Sequence, residues 1–335
     1  MEKSINCETL MSVLNKMLNK TILHADYEIE EIKDKVWLIT GTAETDNNDK
    51  LPFKVVFKIV EKANCPVDPD TGRREYDAYK SNFGTLLTDA LRWPECYHAE
   101  INIDETETQL WLEYIDGVTG NGLTVDMFER TAYEIGRFQG KLYAEQPPVL
   151  QTIPNLSKPD IKKGYYYLNR TPERYDYIRS ENGEIPKHIC KMFIDMDENA
   201  ELWWCRIERL PLVLCNRDVW MDNIFYSDGN IILIDWDTIG WGYLGEGIAN
   251  LIVDEADYNY MHDRYHRCVP AYYKGFSEYA DITEFSDTCI FEMALLMYGY
   301  RLVGWYIDAS KANLDWAKEL NLNTMQKIYE MRKLT

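Results

Sequence analysis

The sequence predicts an α+β fold in two lobes, a small antiparallel-sheet lobe over residues 1–115 and a larger, mainly helical lobe over 116–335. Three observations predict it. Apolar residues alternate with polar ones through residues 27–60 and again near 96–115, the period of half-buried strands. Beyond residue 124 they recur instead at helical spacing. Between the two regimes the stretch IDGVTGNG, residues 115–122, carries three glycines and breaks both patterns.

Taken in order, Leu10, Val13, Leu14, Met17 and Leu18 mark an amphipathic first helix, without the uncharged apolar core of a signal peptide. YEIEEI, VWLITGT and FKVVFKIV then read as a meander, with the polar turn TDNNDK before its last strand. Asp70 or Thr71 can cap a helix whose Tyr76, Tyr79 and Phe83 share a face. CYHAEIN and QLWLEYI form two more strands around DETET. In the second lobe Thr124 can cap a helix carrying Phe128, Ala132, Ile135, Phe138 and Leu142, and Phe291, Ala294, Leu295, Tyr298, Leu302 and Trp305 mark a late one. Residues 146–200, rich in proline and charge, show no clear period and read as helices inserted beside a substrate cleft.

Composition removes several function classes. With 46% apolar residues and 44 aromatic side chains (10 Trp, 24 Tyr, 10 Phe), the chain can bury a sizeable core. A formal charge of −20 argues against nucleic-acid binding, which needs clustered Lys and Arg. No unbroken apolar window approaches the length of a membrane span. The eight cysteines form no C-x-x-C pair, and Cys205 and Cys215 lie in apolar context, which predicts buried reduced thiols and a cytoplasmic protein. His262 and His266, at i and i+4, read as a helix-surface pair without further zinc ligands. Asp254, Glu255 and Asp257 read as a solvated run, with a patch for an amine-bearing substrate as the sharper alternative. Arg301, beside Tyr300 and Trp305, is expected to pair with a buried acid before it reaches a substrate.

The chemistry concentrates in LVLCNRDVWMDNIFYSDGNIILIDWD, residues 212–237. LVLC and NIFY bracket a polar loop, and NIFY meets IILID across a tight turn at Asp228-Gly229, so Asp218, Asn223 and Asp235 can converge at one edge of a sheet. A carboxylate such as Asp218 can orient a hydroxyl and take its proton. Asn223 and Asp235 supply the hard oxygens that magnesium prefers. Asp237 can assist the metal or the substrate, or cap the turn after the strand.

D-x-x-x-x-N followed by I-D-W-D resembles the catalytic and metal-binding segments of the aminoglycoside phosphotransferase and choline kinase group, small-molecule relatives of the protein kinases. Val55-Val56-Phe57-Lys58 is similar to the V-A-I-K strand of that superfamily, Glu75 matches the partner of its lysine, and Leu110–Ile115 looks like the inter-lobe hinge. The resemblance runs from about residue 27 to 255 and implies a two-lobed protein-kinase-like fold. It implies Asp218 as catalytic base and Asn223 and Asp235 as metal ligands. Lys58, braced by Glu75, would position the phosphates, with Val56, Glu113 and Ile115 about the base. Lys54, on the same strand face, is the alternative lysine. Expected cofactors are ATP, with GTP as the alternative, and Mg2+; the expected partner is a small hydroxylated molecule, an aminoglycoside, choline-like amine or sugar.

Four departures accompany the resemblance. Asn216 stands where the group has histidine, Asp222 stands where a small residue often precedes the metal-binding asparagine, Gly247 stands at the last acidic position of a loop brace, and Gly41 is the only glycine between 27 and 60, so no glycine-rich phosphate loop exists. Asn216 and the missing glycine loop suit a non-catalytic kinase-like binding or structural protein, such as a spore-coat relative, as the alternative function. Protein kinase activity is disfavoured, because Asp235 leads directly into GWGYLGEGIANLI without a long activation loop.

Overall fold

The alternation in residues 27–60 folds as a meander of β1 (Ile22–Lys33), β2 (Val36–Thr45) and β3 (Lys50–Glu61). The structure is a computed structural model that describes residues 5–62, 65–181, 183–254, 257–283 and 288–332. Along β3, Phe53, Val55, Phe57 and Ile59 bury against Leu10, Val13 and Leu14 of α1 (Cys7–Leu18). Lys54, Val56 and Lys58 consequently face the other way. Gly41 serves this packing and not a phosphate loop: a Cβ there would lie 2.1 Å from the Asp26 carbonyl oxygen on β1.

The chain continues through α2 (Arg74–Lys80) and the two-residue strand β4 (Leu91–Arg92) to β5 (Cys96–Ile101) and β6 (Glu107–Glu113), giving a sheet of order β1-β2-β3-β6-β5. Two expectations fail here. Asp70 and Thr71 lie in turns around Gly72, at φ +93°, and α2 starts after them with no side-chain cap. Phe83 leaves the face of Tyr76 and Tyr79. It sits in a short 3-10 turn and, with Leu86 and Leu91, joins the large core of the second half of the chain.

That half is built on α3 (Val125–Glu145), capped as predicted by Thr124 Oγ1 accepting from the Met127 amide at 3.3 Å, with Phe128, Ala132, Ile135, Phe138 and Leu142 buried. Residues 146–200 supply α4 (Ile161–Asn169), α5 (Pro172–Arg179) and most of α6 (Lys187–Ile207). After α7 (Glu246–Val253) come α8 (Met261–Ser277), α9 (Thr288–Lys311) and α10 (Asp315–Met331), with Leu295, Tyr298 and Leu302 of α9 in the core. The expected single sheet around the polar loop is two. β8 (Leu212–Cys215) pairs with β11 (Gly240–Tyr243), whereas β9 (Ile224–Ser227) and β10 (Asn230–Leu233) form the hairpin of a sheet ordered β4-β10-β9-β7, with β7 at Val118–Thr119. Parallel pairing of β10 with β4 anchors the hairpin to the first half of the chain.

Asp197 on α6 fastens the inserted helices. It accepts from Tyr166 of α4 at 2.9 Å, Arg170 just beyond α4 at 2.9 Å, Arg179 of α5 at 2.7 Å and Tyr300 of α9 at 2.6 Å. Burial works against its charge, but these donors outweigh burial and hold its carboxyl below the usual carboxylate range. A depressed folded-state pKa stabilises the protein above the unfolded value of about 3.9, and the stabilisation is lost as pH falls through the folded value. Asp197→Asn is expected to cost about 3 kcal/mol at neutral pH in urea unfolding. The gap from wild type closes below about pH 4.

The surface departs from expectation at Cys205. It is exposed because Trp204 and Ile207 take the buried face of α6, while Cys215 is buried; all eight cysteines are free. His262 contacts α10 through the Lys327 carbonyl at 3.2 Å, and His266 is exposed. No described helix is long and apolar enough to cross a membrane.

Candidate active site

Strand β3 sends Lys58 into a cavity of about 500 Å³ between the five-stranded sheet and the β9–β10 hairpin. Its ammonium donates to Glu75 Oε2 at 2.6 Å and Asp235 Oδ1 at 2.6 Å. Burial opposes the charge on Lys58, yet Glu75, Asp235 and Asp237 outweigh it and hold the ammonium well above the usual lysine range. Glu75, 1% exposed, also accepts from the Trp236 amide at 3.3 Å through Oε1, so one carboxylate ties α2 to β3 and to the turn carrying Asp235. Burial pushes Glu75 up against the pull of Lys58. In Asp235 burial is outweighed by Lys58, and the carboxyl is held low. Lys54 lies outside the cavity, its ammonium 4.8 Å from the Tyr114 ring centroid.

The polar loop is drawn onto the same place. Asn223 Nδ2 donates to Asp218 Oδ2 at 2.7 Å and to the Asp218 carbonyl at 2.9 Å. Asn223 and Asp235 both line the cavity, whereas Asp218 does not and is joined to it through its hydrogen bond with Asn223. Burial, then Asp235 and Asp254, push Asp218 up to about 6, against Lys162 and the Asn223 hydrogen bond. Asp235 closes no strand: it follows β10 at φ +58°, a left-handed conformation that turns the chain at the cavity. Asp237 does not cap the turn, and its carboxyl makes no hydrogen bond among the described residues. Burial and Asp235 push it up to about 8, and its carbonyl accepts from Arg74 at 3.4 Å.

The floor and roof of the cavity are apolar. Val36, Val56 and Ile115 lie with Leu112 on one side, and Phe225 and Ile234 on the hairpin on the other. Glu113 also lines it, but its carboxylate is committed to Arg92 at 2.6 and 3.0 Å, and its amide to the Glu95 carbonyl at 2.8 Å. The Ile115 backbone takes no part in the described hydrogen bonds. In place of a glycine-rich loop, the β1–β2 hairpin turns at Asp34-Lys35 and brings Lys33 to the mouth, where its charge helps hold Asp235 low.

Sequence reasoning missed the supports of the loop. Asn216 accepts from the Asp218 amide at 2.9 Å and donates to the carbonyls of Ile234 and Asp235 at 3.3 Å each, clamping the loop to the hairpin end. Arg217, at φ +71°, is buried and pairs with Glu246 at 2.8 Å. The acidic brace expected at position 247 is thus supplied one residue earlier. Arg217 also donates to Ser157 Oγ at 2.7 Å and the Lys158 carbonyl at 2.9 Å. Ser157 bridges to Gly240, where a Cβ would lie 1.8 Å from its hydroxyl, so only glycine permits the approach. Asn250 accepts from the Val219 amide and donates to Asp254 at 2.9 Å. As expected, Arg301 pairs with an acid, Asp254, at 3.5 Å. Glu255 lies outside the described residues, so no acidic run can be assigned there.

Asn223 and Asp235 offer a neutral and a charged oxygen, the donors a hard divalent cation takes when phosphates and water complete its shell. Among the described residues no cluster of three or more His, Cys, Asp or Glu is arranged to hold a metal by itself.

The fold is similar to that of a choline kinase from Cryptosporidium parvum Iowa II, with 15% identity and a TM-score of 0.56, covering 98% of this chain and 97% of that chain. Amicoumacin kinase hAmiN, solved with AMP-PNP, Ca2+ and Ami, is similar at 12% identity and a TM-score of 0.53, covering 98% of this chain and 94% of that one. The GDP complex of wild-type aminoglycoside 2'-phosphotransferase-IIIa gives 11% identity and a TM-score of 0.52, covering 98% and 100%. A search of curated protein sequences returns no match. These likenesses establish the two-lobed kinase-like α+β fold. The profile of the phosphotransferase enzyme family (APH) matches residues 86–284, more than half of the chain, across the hinge, the polar loop and the hairpin, and the chain belongs to that family.

Proposed function

We propose that the protein transfers the terminal phosphoryl group of ATP, with GTP as the alternative donor, to a hydroxyl of a small molecule, with Mg2+ as the cation. The observation that carries this reading is the meeting of Lys58, Glu75, Asn223 and Asp235 in one cavity, with Asp218 joined to Asn223 at 2.7 Å. Residues 1–115 then act as the nucleotide-binding lobe and 116–335 as the catalytic and substrate-binding lobe. The apolar slot at Val56 suits an aromatic base, and the free backbone groups of Ile115 suit its edge. Glu113 holds the hinge in shape through Arg92 and does not contact the base with its side chain.

Lys58, kept protonated and braced by Glu75, binds the phosphates. Asn223 and Asp235 would hold the magnesium ion, which when bound neutralises phosphate charge. Asp218 orients the acceptor hydroxyl and receives its proton as the new O–P bond forms and the bond from the terminal phosphorus to the nucleoside diphosphate breaks. Nucleotide use is supported by hAmiN with AMP-PNP and by the aminoglycoside 2'-phosphotransferase with GDP. Eight free thiols suit the reducing cytoplasm.

Other side chains support the loop where the sequence departs from the family pattern. Asn216 clamps the loop, Glu246 braces it, and Lys33 stands at the mouth. Thermal denaturation with Mg-ATP and Mg-GTP tests the reading: at about 100 times Kd one of them should raise Tm by roughly 3–6 °C. No magnesium-dependent shift with either nucleotide would reject phosphotransfer in favour of the structural alternative.

A further inference from the structure

Helix α2 has seven residues and no side-chain cap, yet it buries three charged side chains, with Arg74 2%, Glu75 1% and Asp77 6% exposed. A helix this short does not hold its own place. Buried charges need partners, so the partners decide where α2 sits. Glu75 belongs to Lys58. Arg74 and Asp77 do not line the cavity, and nucleotide chemistry leaves them unused.

Arg74 spreads one guanidinium over three segments. Nη1 and Nη2 both hold the Asp68 carboxylate, the Nη1 contact at 2.8 Å, and Nε donates to the Asn155 carbonyl at 2.5 Å. Nη1 also donates to the Asp237 carbonyl at 3.4 Å. Asn155, at φ +58° in the loop before α4, makes a second contact with the helix, its Nδ2 donating to Asp77 Oδ2 at 2.8 Å. Glu75 Oε1 takes the Trp236 amide and Arg74 the Asp237 carbonyl, so consecutive residues of α2 hold consecutive residues of the turn that carries Asp235.

Lys58 depends on this register. Its ammonium reaches Glu75 and Asp235 at 2.6 Å each, one carboxylate on α2 and the other on the turn. Its four-carbon stem is flexible, so the carboxylates place the charge. When Asp235 serves the cation, Glu75 remains to hold Lys58 toward the phosphates. Resting on the phosphotransfer reading, we infer that Arg74 and Asn155 are positioning residues for triphosphate binding: they bolt α2 to the loop before α4 and to the Asp237 carbonyl, and thereby hold Lys58 in the cavity. Neither lines the cavity itself.

The test compares a triphosphate with its nucleoside. Calorimetry gives the Kd of Mg-AMP-PNP and of adenosine, or of Mg-GMP-PNP and guanosine where guanine is the base bound. A displaced Lys58 weakens only the ligand that carries phosphates. Asn155→Asp sets two carboxylates face to face at the Asp77 contact and should raise the Mg-AMP-PNP Kd about tenfold, with adenosine within about twofold of wild type. Adding Asp77→Asn reverses the direction of that hydrogen bond and should restore part of the affinity. Arg74→Met combined with Asp68→Asn leaves no orphaned charge at their contact and should show the same selective loss. Asn155 is only half-buried, so its variants give the readout even where the Arg74 pair does not fold. In a Lys58→Met background none of these substitutions should weaken triphosphate binding further. Equal losses for nucleoside and triphosphate, a loss that persists with Lys58→Met, or unchanged triphosphate binding in Asn155→Asp overturns the inference while phosphotransfer stands. Wild-type protein that binds no Mg-nucleotide removes both.

Discussion

Asp218→Asn should lower kcat by about 10²–10⁴-fold and leave Mg-ATP affinity within about twofold of wild type. The amide matches the carboxylate in shape and its oxygen can still accept from Asn223 Nδ2, so the loop keeps its clamp. What disappears is a group that can take a proton. Asp218, held up to about 6 chiefly by burial, is mostly ionised at neutral pH yet close enough to it to accept a proton in the transition state. Lys58, Val56 and Ile115, proposed to bind the nucleotide, make no described hydrogen bond with Asp218, so binding should survive. Coupled ADP assays and calorimetry with a non-hydrolysable analogue separate the two quantities. Unchanged turnover would remove Asp218 from the reaction.

Arg217→Met should cost about 3–5 kcal/mol in urea unfolding and abolish most turnover. Removing the guanidinium leaves Glu246, 3% exposed, charged and unpaired in the core, and frees Ser157 and the Lys158 carbonyl. Arg217 also holds a left-handed conformation that its surroundings must impose. Adding Glu246→Gln should recover part of the lost stability, because the orphaned charge goes too, while turnover stays low because the loop beside Asp218 remains unbraced. A single variant as stable as wild type would show that the pair contributes nothing to the loop.

These two predictions divide the site into what could and could not be read in advance. Asp218, Asn223 and Asp235 were legible because loop and hairpin are local, their spacing set by a few residues of turn. Lys58 was legible from strand alternation, which fixes its face once the buried row of Phe53, Val55 and Phe57 is recognised. Arg217 and Glu246 were not, since their pairing depends on how α7 packs against the loop. The expectation at Gly247 missed the acid by one position for the same reason. The inserted helices were illegible because Asp197, Arg170 and Arg179 dilute the apolar period with charges that turn out to be an internal hub. Phe83 was misplaced because periodicity carried the helix past Lys80, whereas packing drew that ring toward Phe138 and Trp236.

Phosphotransfer as proposed requires one divalent cation held with the triphosphate between Asn223 and Asp235, within reach of Asp218. Electron paramagnetic resonance of Mn2+ titrated into the protein with AMP-PNP tests it most directly, by counting bound metal in wild type, Asp235→Ala and Asn223→Ala. Wild-type protein should bind Mn2+ only with nucleotide, and either substitution should weaken that binding about tenfold or more. Mn2+ binding that needs no nucleotide, or that neither substitution alters, would contradict it.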